Sequence, residues 1–230
     1  MNFIFKAVLT IALLLSITTV PAQTKKVSIF GSYSYGWGNI TPKVSSSIHP
    51  PTSDEINKLR TGKTNQLEVG VLFHSFGLGI IHNSYAVDAT TSYDYADLNY
   101  DGYFENGILS DNLKLRYTGL EIIYKLSLFK SKFGVNWRGA LGIQNYSIDK
   151  DINIMGIYPQ RNYQHITGNI FTPMLGVEIN YQICKILAVG VETSLIPGNY
   201  KNMKDKNDTY STYSDNVSRL NTGMKLIVTL

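Results

Sequence analysis

Eight segments of the sequence alternate apolar and polar residues with a period of two, which is the pattern of β-strands with one apolar face. The segments lie near Lys26–Trp37, Asn65–Phe73, Gly77–Val87, Leu113–Leu126, Lys132–Tyr146, Ile166–Gln182, Ile186–Ile196 and Val217–Leu230. Three connections between them are short. The other four, Gly38–Thr64, Asp88–Asn112, Ser147–His165 and Pro197–Asn216, each run to roughly twenty residues, far beyond usual loop lengths. The sequence therefore predicts an all-β domain with strongly unequal connections.

The last segment indicates how the sheet ends. It stops on Leu230 with no tail to cover a free strand edge, and an unpaired edge is a liability. Pairing with the first segment would remove that edge and close a barrel. Tight turns that alternate with long loops are typical of barrels that cross a bacterial outer membrane. We therefore predict an eight-stranded antiparallel up-and-down transmembrane β-barrel with four long extracellular loops.

The apolar face of the predicted strands is suited to lipid. Phe73, Tyr124, Phe133 and Tyr181 lie on that face, each within about two residues of a short turn, as in the aromatic girdles of such barrels. A secreted soluble barrel that binds a hydrophobic ligand inside is the alternative, and it requires the opposite assignment of the two faces.

The other face carries most of the charges of the predicted strands. Six of them fall at a similar distance from the short turns or the C-terminus, namely Glu68, Glu121, Arg138, Glu178, Glu192 and Lys225. Because the lumen of an eight-stranded barrel is just wide enough for side chains, we expect these six to form one ionic layer. The layer is interpreted first as a polar plug. Two cations against four carboxylates leave an acidic surplus, which keeps a narrow, gated or proton-sensitive channel as the alternative.

The first residues have the features of a secretory signal. A short basic start with Lys6 precedes the apolar run Ala7–Leu15, and small residues around Ala22 precede Gln23. We predict a signal peptide over 1–22 and a barrel domain over 23–230, located in the bacterial outer membrane. The single cysteine, Cys184, has no partner for an internal disulfide.

The second long connection contains a partial calcium-loop pattern. The run from Asp97 to Gly102 matches the first half of D-x-[DN]-x-[DN]-G. The candidate ligands are Asp97, Asn99, Asp101, Tyr103 and Glu105. The twelfth position of the motif is Ile108 rather than Glu, so the full motif fails. The alternative is that Asp, Asn and Gly simply make turns in a solvated loop.

A structural role in the membrane and loop-mediated binding of an external partner are the remaining functional hypotheses. Tyrosines interleave with acids in the second long connection, and such loops suit a protein or glycan partner. Lys and Arg are scattered, which argues against nucleic acid. His82 beside Ser84 comes nearest to a hydrolytic pair, but no carboxylate is placed to orient the histidine, so no enzyme is expected.

Taken together, the alternating strands, the long connections and the apolar C-terminal strand resemble the small eight-stranded outer-membrane β-barrel family, of the OmpA and OmpX type, in its Bacteroidota versions. The resemblance implies that the barrel-assembly machinery recognises Met224, Leu226, Val228 and Leu230, although the last residue is not the aromatic typical of that signal. It also implies outer-membrane lipid as a partner and a role that the fold alone does not determine.

Overall fold

The computed structural model describes residues 27–41, 53–96, 105–127, 132–155, 159–206 and 212–230. It contains one helix, α1 (Ser53–Arg60), and strands β1 (Val27–Thr41), β2 (Thr61–Phe73), β3 (Phe76–Ala96), β4 (Glu105–Ser127), β5 (Phe133–Met155), β6 (Gln160–Gln182), β7 (Leu187–Ile196), β8 (Asn199–Asp205), β9 (Thr212–Asn216) and β10 (Ser218–Thr229). Eight strands close a ring in the order β1, β2, β3, β4, β5, β6, β7, β10, with every neighbouring pair antiparallel. The predicted fold class is confirmed.

The ring closes through the C-terminal strand. β10 pairs with β1 from Phe30↔Thr229 to Thr41↔Ser218. Beyond the Phe30↔Thr229 pair, the amide of Leu230 donates to the carbonyl of Ile29 at 2.8 Å. The apolar end of the chain is therefore a paired strand rather than a free edge, as the alternation predicted.

Several strands are much longer than the segments predicted from the sequence, and they extend beyond the membrane-spanning ring. β3 continues to Ala96 and β4 already begins at Glu105, so most of the predicted loop Asp88–Asn112 is strand. β5 and β6 likewise absorb most of Ser147–His165. The physical reason is that apolar residues continue at alternate inward positions. Asp, Asn and Ser at the outward positions give these segments the composition of a loop, but in the structure they are the solvent-facing residues of strands.

The other two long connections also contain regular structure. β8 and β9 form a hairpin above the ring, which attaches to β6 through Ile166↔Asp205. Pro197 and Gly198 separate β8 from β7, because proline cannot donate to the ladder. In the first connection, α1 buries Leu59 at the extracellular end, where the Tyr85 hydroxyl donates to the Leu59 carbonyl at 2.9 Å.

Pro173 occupies a regular position in β6, opposite Leu141, without a bulge. The ladder between β6 and β7 begins only at Leu175↔Leu195, so Pro173 lies where β6 has lost one paired neighbour. The next residue back, Thr172, donates its hydroxyl to the Pro197 carbonyl at 2.7 Å. A residue without an N–H is tolerated at this edge position.

A buried apolar core fills the ring where the strands extend beyond the ionic side chains. It includes residues of α1, of the ring strands and of the β8–β9 hairpin, among them Leu59, Tyr85, Leu115, Ile148, Tyr200 and Tyr213. No helix in the described part of the chain is long and apolar enough to span a bilayer.

Candidate functional site

The outer wall of the ring is an apolar band. Its exposed members include Ile29, Tyr35, Leu67, Val69, Leu78, Ile80, Leu120, Ile122, Trp137, Leu141, Ile143, Leu175, Ile179, Val191, Met224 and Leu226. Near the short turns the band ends in aromatic rings, and those of Phe133 and Tyr181 lie 4.9 Å apart. An exposed apolar belt of this extent is unfavourable in water, whereas it matches the acyl chains of a bilayer. The protein is therefore an integral barrel of the outer-membrane type, and the soluble alternative, with a polar exterior, does not fit.

Inside the ring, the structure brings all six charged residues of the predicted layer together. The Arg138 guanidinium contacts Glu192 through Nη1 and Glu121 through Nη2, both at 2.5 Å, and it also pairs with Glu68. The Lys225 ammonium lies 2.7 Å from Glu68, 2.7 Å from Glu178 and 3.1 Å from Glu192. All six side chains are buried. The two cations thus each hold several carboxylates at once.

Neutral polar side chains satisfy most of the remaining carboxylate oxygens. Ser32 donates to Glu68 at 2.7 Å, and Gln66 donates to both Glu68 and Glu192. Asn136 and Asn180 both donate to Glu178, at 2.7 and 2.8 Å. Hydrogen bonds of this kind are what allow a buried charge to remain stable.

Glu121 is the exception in the layer. Among the described residues its carboxylate has the contact with Arg138 and receives no hydrogen bond from a neutral side chain. It is only 1% exposed. Four carboxylates and two cations give the ionised layer a charge of −2, so Glu121 is the group on which this surplus is least compensated.

The interior is accessible from the turn end of the barrel and filled at the other. A cavity of about 50 Å³, room for a few waters, reaches Glu68, Glu178 and Lys225 from the short-turn end. Towards the extension, Ile81, Tyr117, Met174 and Ile196 pack over the layer, and the larger apolar core lies beyond them. The described side chains therefore seal the lumen above the ionic layer.

Further buried charges inside the barrel and its extension were missed by the sequence analysis, among them Arg219, Lys150 and Asp111. Arg219 is fully buried in β10, near Tyr85, Tyr117 and Tyr200, and its Nη1 lies 3.5 Å from the Leu115 carbonyl. Lys150 pairs with Asp111 at 3.4 Å in the extension. The inward phase of Lys150 and Asp111 is visible only once β5 and β4 are extended through them, whereas Arg219 lies within the predicted last segment and was not singled out.

A polar face covers the outside of the extension, above the apolar band. Asp149 accepts hydrogen bonds from the Tyr163 hydroxyl at 2.7 Å and from the His165 Nδ1 at 2.5 Å, and Arg161 forms a bidentate pair with Asp151. A groove of about 390 Å³ runs beside them, lined also by Asp88. Partial burial works to raise the pKa of Asp149, but the hydrogen bonds from His165 and Tyr163 outweigh it and hold that pKa below its ordinary value. Arg161 likewise lowers the pKa of Asp151.

The paired His165 and Asp149 hold two of the three parts of a nucleophilic site, a base and its orienting carboxylate. Among the described residues, no Ser, Thr or Cys side chain forms a hydrogen bond with His165. His82 instead contacts Thr118 at 2.9 Å on the outer wall.

Four of the five candidate calcium ligands, Asp97, Asn99, Asp101 and Tyr103, lie outside the described residues. Glu105 is the first residue of β4. Within the described ranges, no group of His, Cys, Asp and Glu is arranged to hold a metal ion. The predicted assembly residues Met224, Leu226, Val228 and Leu230 all face outward along β10 and its end.

Comparison with solved structures identifies the fold. A major outer membrane protein from Thermus thermophilus is similar over 89% of this chain and 100% of its own, with a TM-score of 0.51 and 13% identity. The chain has the fold of the outer-membrane β-barrels. Neisserial surface protein A also matches, at 12% identity over 90% of this chain and 99% of its own, with a TM-score of 0.43. No protein-family model and no curated protein matches the sequence.

Proposed function

We propose that the protein is a closed, non-enzymatic outer-membrane barrel that holds a rigid β-extension at the cell surface for binding an external partner. The observation that carries the proposal is the filled interior. The ionic layer and the apolar core above it share the lumen, so the barrel wall serves as an anchor rather than as a pore. Binding surfaces held on rigid elements are more precise than those on free loops.

The polar outer face is the surface we propose for binding. Its carboxylates and hydroxyls are already ordered by mutual hydrogen bonds, and the Tyr163 ring is half exposed beside them. Aromatic rings with adjacent hydrogen-bonding groups suit glycans or protein surfaces, because little side-chain freedom is lost on binding.

Planar-bilayer conductance tests the closed barrel. The refolded protein should give no steps at any voltage that leaves the bilayer intact. A stable single-channel conductance that disappears in Glu121→Gln or Arg138→Gln would instead support the narrow channel.

A glycan and cell-binding screen tests the surface. The barrel in lipid nanodiscs should bind a partner that the variant Asp149→Ala/Tyr163→Ala loses, while Lys201→Gln, on the β8–β9 hairpin, retains it. Equal binding by both variants would contradict the role proposed for this face.

A further inference from the structure

Three cations cluster on the outer wall just above the apolar band. Lys63 of β2 and Lys114 of β4 share one cross-strand row, in which Ala86 of β3 lies between them. Arg116 lies two residues along β4 from Lys114, in the row directly below. All three side chains are exposed on the outer face.

The small residues between the cations leave a shallow floor. The upper row reads Lys63, Ala86, Lys114 and the lower row reads Asn65, Ser84, Arg116 across the same three strands. Adjacent strands are about 4.8 Å apart, so β2 and β4 place their lysine Cα atoms roughly 10 Å apart. Across that distance the two lysine side chains can both reach one anion, and the Arg116 guanidinium lies in the row below them.

These cations are only partly compensated within the wall, where Lys114 lies close enough to Asp149 to contribute to the lowered pKa of that carboxyl. Among the described residues, none of the three forms a salt bridge, and the two rows contain no carboxylate on these strands. The nearest outward acids, Asp88 of β3 and Asp149 of β5, lie one row higher, and each already accepts a hydrogen bond from a neighbour. The continuation of the two rows on β5 is uncharged, with Asn145 and Ser147. The positive charge is thus confined to one sector.

An apolar lane lies below the cluster; it starts in the next row at Leu67 on β2 and one row further down on β3 and β4, where His82 and Thr118 intervene. Leu67, Ile80 and Leu120, on the same three strands, are between 53% and 72% exposed. A lipid whose phosphate met the cations would therefore lay its acyl chains on this lane. The lane and the cluster are at the end of the barrel that carries the extension, which is the outer leaflet when the short turns face the periplasm.

The geometry points to a binding site for the phosphate of an outer-leaflet glycolipid, formed by Lys63, Lys114 and Arg116. Ammonium groups attract phosphate as point charges, and guanidinium binds it through two parallel hydrogen bonds. The inference rests on the membrane placement of the barrel but not on its binding of an external partner.

The test compares lipids and variants by native mass spectrometry and by titration of tryptophan fluorescence, since Trp37 is the cross-strand neighbour of Lys63. The probes are diphosphorylated lipid A and its dephosphorylated form, added to the unaltered barrel in detergent. The phosphorylated lipid should bind at least tenfold more tightly. The triple variant Lys63→Gln/Lys114→Gln/Arg116→Gln should lose on the order of a hundredfold in affinity, because each interfacial cation contributes roughly fivefold.

The control removes the same number of charges elsewhere on the extracellular side, as Lys201→Gln/Lys204→Gln/Lys206→Gln, and should keep the affinity. Equal binding of the two lipids by the unaltered protein would overturn the site, and this comparison does not depend on any variant folding. Equal loss in both triple variants would also overturn it. Displacement of the lipid by millimolar inorganic phosphate would reassign the cations to free phosphate. A heat-dependent gel shift of each variant reports the folded barrel separately.

Discussion

Replacing Lys225 by Met should destabilise the barrel strongly. The ammonium contacts three buried carboxylates, at 2.7 Å from Glu68 and Glu178 and at 3.1 Å from Glu192. Its loss leaves Arg138 alone against four carboxylates. Removing one partner of a buried ion pair costs about 3–5 kcal/mol, which is a factor of roughly 10² to several times 10³ in the folded-to-unfolded ratio.

Replacing Glu121 by Gln should act in the opposite direction. The contact with Arg138 favours the ionised group, whereas the other three carboxylates oppose it, and Glu68 does so at close range because it contacts the same Nη2 atom. These opposing interactions leave little net gain, so the main remaining cost of the ionised group is its desolvation. Glutamine keeps the shape without the charge. We expect the free energy of unfolding to rise, by roughly 1 kcal/mol.

Equilibrium urea unfolding from lipid vesicles measures both changes, with tryptophan fluorescence and the mobility of unboiled samples as independent readouts. Lys201→Met, which removes an exposed lysine of β8, is the matched control and should change the free energy of unfolding by less than about 0.5 kcal/mol. If Glu121→Gln is as damaging as Lys225→Met, the charge surplus assigned to Glu121 is wrong.

Three other predictions concern packing, orientation and pH. Gly142→Ala should cost about 1–3 kcal/mol in unfolding experiments, because the new Cβ would collide with the Thr118 carbonyl and the Gly119 Cα, whereas Gly139→Ala meets open space and should be tolerated. An impermeant maleimide should label Cys184, exposed beside the β6–β7 turn, only after the outer membrane is permeabilised, and labelling of intact cells would invert the topology. NMR titration should give the Asp149 carboxyl a pKa below its ordinary value. The stabilisation from the hydrogen bonds of the ionised carboxylate is therefore present at neutral pH and is lost as the pH falls through that lowered pKa. His165→Ala should raise the pKa of Asp149.

The sequence predicted the ring well because a lipid-facing strand has a strict requirement. Every second residue from Leu67 to Phe73 must be apolar, and a one-residue shift would expose Glu68 to lipid. The same phase placed Glu68, Arg138 and Lys225 on the inner face. Which carboxylate each cation contacts could not be predicted, because it depends on the stagger of the strands around the ring.

The extension was missed for a different reason. Asp88, Asn112 and Asp149 have the composition of loops, but they form cross-strand neighbours on a solvated face. Arg219 was missed because nothing in its own strand distinguishes a buried cation from a surface one. Its surroundings come from Tyr85, Tyr117 and Tyr200, which are distant in sequence.

The two faces of the wall exchange their character where the strands leave the membrane. Along β5, Leu141 and Ile143 face outward while Gln144 faces inward; beyond them, Asn145 and Asp149 face outward and Ile148 inward. The period of two continues unchanged, but the apolar set moves from the outer to the inner face. Above this boundary the chain follows the rule of a soluble sheet, with a buried apolar interior. The extension therefore has its own core, and this core both closes the lumen and keeps the outward polar residues in fixed positions above the lipid.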